Sequence, residues 1–332
     1  MRRRRLLAGA SGAGIASPFL LVSRARGQAA LRRVAILLSS TASDPEGQAR
    51  LASLREGLAQ RGWVEGRTIQ LDVHYGGAGA QAMRDQAAAM VASAPDLIVL
   101  NSTPALDDVV RRTRTIPIVF VLAVDPVALG EIQSVAHPGG NITGFTFWDV
   151  TLVGKWLQLL REAVPSLEHA VVIHNPDSTP FYRQMMEAAG RMPGLPPLSL
   201  SVAPMHEARD IEPVVKEIAR RPNSAVIAPS DPFLTRYRQE IATALLAARL
   251  PSVSIFRIFA EAGWLMSYGP DVSNVFKRSA GYIDRILRGA RPGDLPAQEP
   301  TLYQFVINGR AARALGLALP PTLQVRADET LD

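Results

Sequence analysis

The 332 residues are 47% hydrophobic and 20% charged, globular values with room for about two domains, which exclude an intrinsically disordered chain. A net charge of +6 and a pI near 10.0 point to a polyanion binder, but residues 1–29 carry six arginines and no acid; from Ala30 onward 30 basic residues balance 30 acidic ones, and the case for nucleic acid goes. With no cysteine there is no disulfide, thiolate nucleophile, thiolate metal site or lipidated cysteine anchor.

Residues 1–29 read as an export signal. Arg2 to Arg5 form a positive start, and the weakly apolar stretch Leu6 to Val22 is interrupted by Gly9, Gly12, Gly14 and Pro18, a poor membrane span. Gly27-Gln28-Ala29 places small residues where a signal peptidase cuts, so cleavage is expected near Ala29/Ala30, leaving a periplasmic protein without a lipid anchor. Arg3-Arg4-Arg5-Leu6-Leu7 fits the twin-arginine pattern; an ordinary secretory signal is the alternative. The glycines at 9, 12 and 14 follow no strand and are not a dinucleotide loop.

From Arg33 short β-rich runs alternate with amphipathic stretches. Val34 to Leu38 is continuously apolar, as in a parallel strand covered on both faces, and Leu51, Leu54 and Leu58 follow at helical spacing. Ile69–Val73 (strand), Gln81–Val91 (helix), Leu97–Leu100 (strand), a short helix from Pro104, Ile118–Val121 (strand) and Ile142–Phe147 (strand) complete a first half. A helix carrying Val153, Trp156, Leu157 and Leu160 opens the second. Strands Ala170–Ile173, Leu198–Val202, Ala225–Ala228 and Val253–Phe256 then alternate with helices Pro180–Ala189, Ile211–Ala219 and one carrying Phe233, Tyr237, Ile241 and Leu245. This alternation predicts an α/β fold of parallel sheets in two units with a cleft between them.

Four strand ends run into a short polar residue before proline: Asn101-Ser102-Thr103-Pro104, Asp125-Pro126, Asn175-Pro176 and Ser230-Asp231-Pro232. Each reads first as a helix cap. All four lie at the carboxyl ends of strands, where open parallel sheets bind ligands. Free N–H groups at Ser102-Thr103 suit a carboxylate, and Asp231 suits an ammonium group. As a cap alone, Asp231→Asn is expected to be silent. As an ammonium partner, it is expected to cost about 2–5 kcal/mol of binding without moving the melting temperature of the empty protein.

Several stretches resemble, in order, the ABC-transporter substrate-binding protein family with the type 1 periplasmic-binding fold, in the branch of tryptophan- and other amino-acid-binding members. They are Leu58 to Gly66, Ile116-Pro117-Ile118-Val119-Phe120 with Asp125-Pro126-Val127, His137-Pro138-Gly139-Gly140-Asn141-Ile142-Thr143-Gly144, Ser267-Tyr268-Gly269, Ile286 to Pro296, Phe305-Val306-Ile307-Asn308 and Ala327-Asp328-Glu329. The resemblance implies two Rossmann-like lobes joined by a hinge, residues 30–147 with 268–300 in lobe one and 148–267 with 301–332 in lobe two. It also implies a monomer without cofactor or metal that closes on a small ligand and delivers it to an ABC permease in the inner membrane. Carried over, the ligand-binding residues are Ser39, Ser40, Asn101, Ser102, Thr103, Asp125, Asn175, Asp231 and Tyr268. Relatives often have a glycine-rich turn where this chain has Asn101-Ser102-Thr103, so the pocket shape is its own.

The rival readings are weaker. The five histidines show no metal spacing, and neither a Gly-x-Ser-x-Gly elbow nor a His-Glu-x-x-His motif occurs, which argues against an exported enzyme. A sugar-responsive transcription factor needs a DNA-binding unit where the export signal lies. A periplasmic sensor docking on a receptor kinase stays open; neighbouring permease genes discriminate. Phe233 and Tyr237 read as core, four residues apart on one helical face, while Tyr182, Phe147-Trp148 and above all Tyr268 are candidates to stack on ligand. An aromatic or branched amino acid is the first ligand expected, a small aromatic carboxylate the second.

Overall fold

The computed structural model describes residues 31–77, 79–147, 151–191 and 198–332; the expected export signal and Trp148 lie outside them. The chain begins β1 (Arg32–Leu38), α1 (Pro45–Ala59), β2 (Ile69–Tyr75), α2 (Ala80–Ala92), β3 (Leu97–Asn101), α3 (Thr103–Arg112), β4 (Ile118–Ala123) and β5 (Ile142–Thr146). The five strands form a parallel sheet in the order β2-β1-β3-β4-β5. Next come α4 (Thr151–Ala163), β6 (His169–His174), α5 (Tyr182–Ala189), β7 (Ser199–Pro204), α6 (Ile211–Ala219), β8 (Ser224–Ala228), α7 (Pro232–Arg236), α8 (Arg238–Ala247) and β9 (Ser252–Ser254). The chain ends with α9 (Arg257–Glu261), β10 (Met266–Pro270), α10 (Val272–Leu287), β11 (Tyr303–Asn308), α11 (Gly309–Leu315), α12 (Pro321–Val325) and β12 (Glu329–Leu331). The second sheet runs β12-β11-β10-β9-β8-β6-β7 and is parallel except where β11 pairs antiparallel with β10.

Two lobes follow, each an α/β sandwich. After β10 the chain returns to lobe one, where α10 packs on α1 and Asp284 takes a 2.8 Å hydrogen bond from the Trp63 indole. Residues 268–270, expected with lobe one, pair within the second sheet, so this crossing comes after Pro270. The long helix expected around Phe233 and Leu245 is broken at Tyr237, whose φ of −100° and ψ of 21° separate α7 from α8.

Alternation along the strands sorts the core. Val34, Ile36 and Leu38 face the layer that holds Leu51, Leu54 and Phe276, while Ala35 and Leu37 face Met83, Ala87 and Leu106; all are buried. Two of the family-like segments fit one another. Gly293 lies so close to Gly139 and Gly140 that a Cβ there would meet their backbone at 2.7 Å, and the Thr143 hydroxyl donates to the Leu295 carbonyl at 2.7 Å. The stretch from His137 to Gly144 and the one ending in Pro296 are therefore two halves of one joint.

The four polar-proline corners divide. Ser102 precedes α3, and Asp231 caps α7, accepting from the N–H of Phe233 at 2.7 Å and of Leu234 at 3.3 Å. Asp125 and Asn175 fold into turns instead: Asp125 Oδ1 accepts from Ala128 N–H, and Asn175 Oδ1 from Asp177 and Ser178 N–H.

Candidate ligand-binding site

The carboxyl ends of the central strands of both sheets meet around a small cavity of about 20 Å³. Ser39, Arg50, Asn101, Ser102, Thr103, Leu122 and Val124 line it from lobe one, and Thr179, Ser230, Asp231, Thr235 and Phe256 from lobe two. Ser39, Thr103, Pro104 and Pro232 also line a wider interlobe cleft of about 980 Å³.

The lobe-one wall is organised by Asn101, which is buried at the end of β3. Its side-chain oxygen accepts from Ser39 Oγ at 3.0 Å and from Arg50 Nη1 at 3.2 Å. Arg50 comes from α1 and is only 4% exposed; its Nε donates to Glu46 at 3.0 Å, and its guanidinium lies 5.6 Å from the ring centre of Phe256 in lobe two. Among the described residues Arg50 Nη2 and Ser102 Oγ are buried and have no hydrogen-bond partner. The Thr103 hydroxyl accepts from Val124 N–H at 2.8 Å and so braces the ends of β3 and β4 against each other. Ser102, Leu122 and Asp125 have φ of 122°, 61° and 33°, a backbone region unfavourable for side-chain-bearing residues. Three such residues at adjoining strand ends mark a place where the surrounding packing holds strain, as ligand clamps do.

On the lobe-two wall Asp231 is 1% exposed. Besides capping α7 it accepts from Asn175 N–H at 2.7 Å, Thr179 Oγ at 2.8 Å and Ser178 Oγ at 3.4 Å, so one carboxylate ties the end of β6 to the end of β8. Burial pushes its pKa up, against the hydrogen bonds from Asn175, Thr179, Phe233 and Leu234. Among the described residues its hydrogen-bond donors are all neutral and it forms no ion pair. Tyr182 donates to the Ser230 carbonyl at 2.7 Å and is fully buried, with its hydroxyl pKa raised by that burial; it is packing, not a ligand platform.

The expected site residues do not all meet. Ser39, Asn101, Ser102, Thr103 and Asp231 line the cavity. Asn175 lines the outer cleft, its side-chain nitrogen donating to the His206 carbonyl at 2.9 Å. Three others lie on neither wall. Ser40 is buried and against Gly47, and Asp125 is spent on its turn. Tyr268 stacks on Tyr303 with ring centres 5.8 Å apart, because its strand places it at the antiparallel β10–β11 pair. Phe233 and Tyr237, expected in the core, line the cleft with ring centres 4.8 Å apart. Arg50 and Phe256 were missed: Arg50 sits in a helix already rich in charged residues, and the Phe256 ring comes to the cavity from the other lobe, far away in sequence.

Two bridges join the lobes across the cleft. Arg238 of α8 pairs with Asp44, the cap of α1, at 3.3 Å, and Arg236 donates to the Gly77 carbonyl at 3.2 Å. On the lobe-one side burial and the nearby Asp107 push the Glu131 carboxyl up to about 8, with Arg111 opposing. At neutral pH a carboxyl shifted this far is mostly protonated and does not repel an acid, and its Oε2 is buried without a partner among the described residues.

Two α/β lobes with polar side chains gathered at their facing strand ends have the architecture of a solute-binding protein. Residues 35–331 match the family of ABC transporter substrate binding proteins, and the chain belongs to that family. Its members are substrate-binding proteins of ABC importers, not enzymes, and work outside the cytoplasm. The chain is 23% identical over 265 residues to the tyrosine-binding protein of Clostridioides difficile, covering 78% of this chain and 74% of that one. A conserved domain protein of Vibrio cholerae superposes with a TM-score of 0.80 at 25% identity, over 90% of this chain and 99% of that one. An ABC domain from Streptococcus pneumonia in complex with L-Trp superposes with a TM-score of 0.80 at 19% identity, over 91% and 100%.

Proposed function

We propose that this protein is a periplasmic, monomeric receptor that delivers a free amino acid, aromatic or branched, to the permease of an ABC importer in the inner membrane. One observation carries the reading. A buried carboxylate, Asp231, faces the cavity with neutral donors around it, and a ligand ammonium supplies the missing opposite charge. The ligands of the tyrosine-binding relative and of the L-Trp complex belong to the same chemical class. A second reading has an observation of its own: the Asp231 oxygens already accept five hydrogen bonds, which favours a ligand without an ammonium group, such as an aromatic carboxylate.

The test is a thermal-shift screen of protein stripped of ligand by unfolding and refolding, against amino acids and aromatic acids. A ligand at 100 times its Kd raises stability by about 2.7 kcal/mol. Small-angle scattering of the same samples is expected to show a smaller radius of gyration with the hit, since the bound state gains contacts from both lobes. Stabilisation by aromatic acids but by no amino acid overturns the first reading in favour of the second. An unchanged radius at saturation argues against closure.

For the export signal the expected mature form begins near Ala30, unlipidated and close to neutral. Mass spectrometry of the protein recovered from the periplasm checks this; retention of residues 1–29 contradicts it.

A further inference from the structure

We infer that Arg50 is the residue that recognises the ligand's carboxylate, so that the pocket selects acids over amines of the same shape; this deepens the amino-acid reading and rests on it. The guanidinium is held on two sides, by Glu46 through Nε and by Asn101 through Nη1, and backed by the Phe256 ring. Its remaining nitrogen, Nη2, is buried on the cavity wall without a partner among the described residues, and so is the Ser102 hydroxyl on the same wall. A buried N–H of a charged group left unpaired is costly, and such groups in a native protein call for an explanation. A carboxylate provides one, since it accepts from a guanidinium N–H and a hydroxyl at once, with charge-assisted bonds stronger than neutral ones.

The arrangement also sets polarity along the ligand. The acid group lies on the lobe-one wall with Arg50 and Ser102, and any ammonium group lies toward Asp231 on the lobe-two wall. Arg50 shares its single positive charge with Glu46, 3.0 Å away, which suits one acid group rather than a polyanion such as a phosphate.

Calorimetric titration with L-tyrosine, tyramine and 3-(4-hydroxyphenyl)propanoate tests this, on the stripped wild-type protein, Arg50→Gln and Arg50→Lys. The wild type is expected to bind tyrosine at least about 30-fold more tightly than tyramine. Arg50→Gln removes that preference by weakening tyrosine and leaving tyramine within a few fold, and Arg50→Lys falls between, because lysine keeps the charge but not the planar fork. Equal affinity of the wild type for tyrosine and tyramine overturns the proposal without any variant. Equal weakening of both ligands in Arg50→Gln also overturns it, and makes Arg50 a brace between Asn101 and Phe256. If Arg50→Gln does not fold, Arg50→Lys and the wild-type comparison decide. Binding of the propanoate but not of tyrosine, lost in the variants, keeps Arg50 in its role while the amino-acid reading fails. Binding of neither carboxylate here, nor of any amino acid or aromatic acid in the thermal-shift screen, removes both.

Discussion

Asp231→Asn is expected to lower the melting temperature of the empty protein as well as weaken binding. Asparagine keeps one oxygen, and with that oxygen turned to Phe233 and Leu234 the cap of α7 survives. The amide nitrogen then stands where Oδ2 accepted from Asn175 N–H at 2.7 Å, and two donors face each other. Thr179 adapts, because its hydroxyl also lies 2.7 Å from the Asn175 carbonyl and can turn its one proton there while accepting from the new amide. Asn175 N–H cannot, and one orphaned buried donor with a repulsive neighbour costs about 2–4 kcal/mol. Because Asp231 ties the β6 loop as well as capping α7, a silent substitution is not expected. An unchanged melting curve for the variant contradicts that tie.

The same carboxyl gives a pH test of the ligand's ammonium group. Burial raises its pKa in the fold above the usual 3.8, so the stability this group contributes is whole below 3.8 and is lost as pH rises through the folded value. An ammonium ligand favours the ionised form, so its affinity climbs with pH over the same window. A ligand with no ammonium group gains nothing there, or loses.

Much of this was legible from residues alone, for physical reasons. Strands buried on both faces must be continuously apolar, and Val34–Leu38 and Val226–Ala228 announce themselves as such. Polar-proline corners mark strand ends because proline tolerates only the start of a helix, and two of the four do begin helices. Arg50 was hidden because its burial depends on Asn101 and on Phe256 in the other lobe, neither of which its helix predicts. Tyr268 misled because the segment Ser267-Tyr268-Gly269 drew the eye to its aromatic ring. The geometry puts the constraint on the next residue.

Gly269→Ala is expected to be among the most damaging small substitutions in the protein. A Cβ at Gly269 would stand 1.9 Å from the carbonyl oxygen of Ile255 and 2.9 Å from its carbonyl carbon, and both are backbone atoms that no rotamer change can remove. Relief requires β10 to move away from the segment after β9, at the point where the chain leaves the second sheet for α10 and lobe one. Moving it disturbs the parallel β9–β10 pair, the antiparallel β10–β11 pair and the 2.7 Å bond from the Trp156 indole to the Tyr268 carbonyl. The cost is expected at roughly 3 kcal/mol or more, at the upper end of overpacking in cores. Gly190→Ala is the matched control: its φ of −62° suits alanine, and the nearest atom to a Cβ there is 3.4 Å away. Denaturant unfolding of both variants reads the contrast. A Gly269→Ala midpoint close to that of Gly190→Ala means the crossing strand yields at little cost, and that the close approach of β10 to Ile255 does not hold the lobes in register.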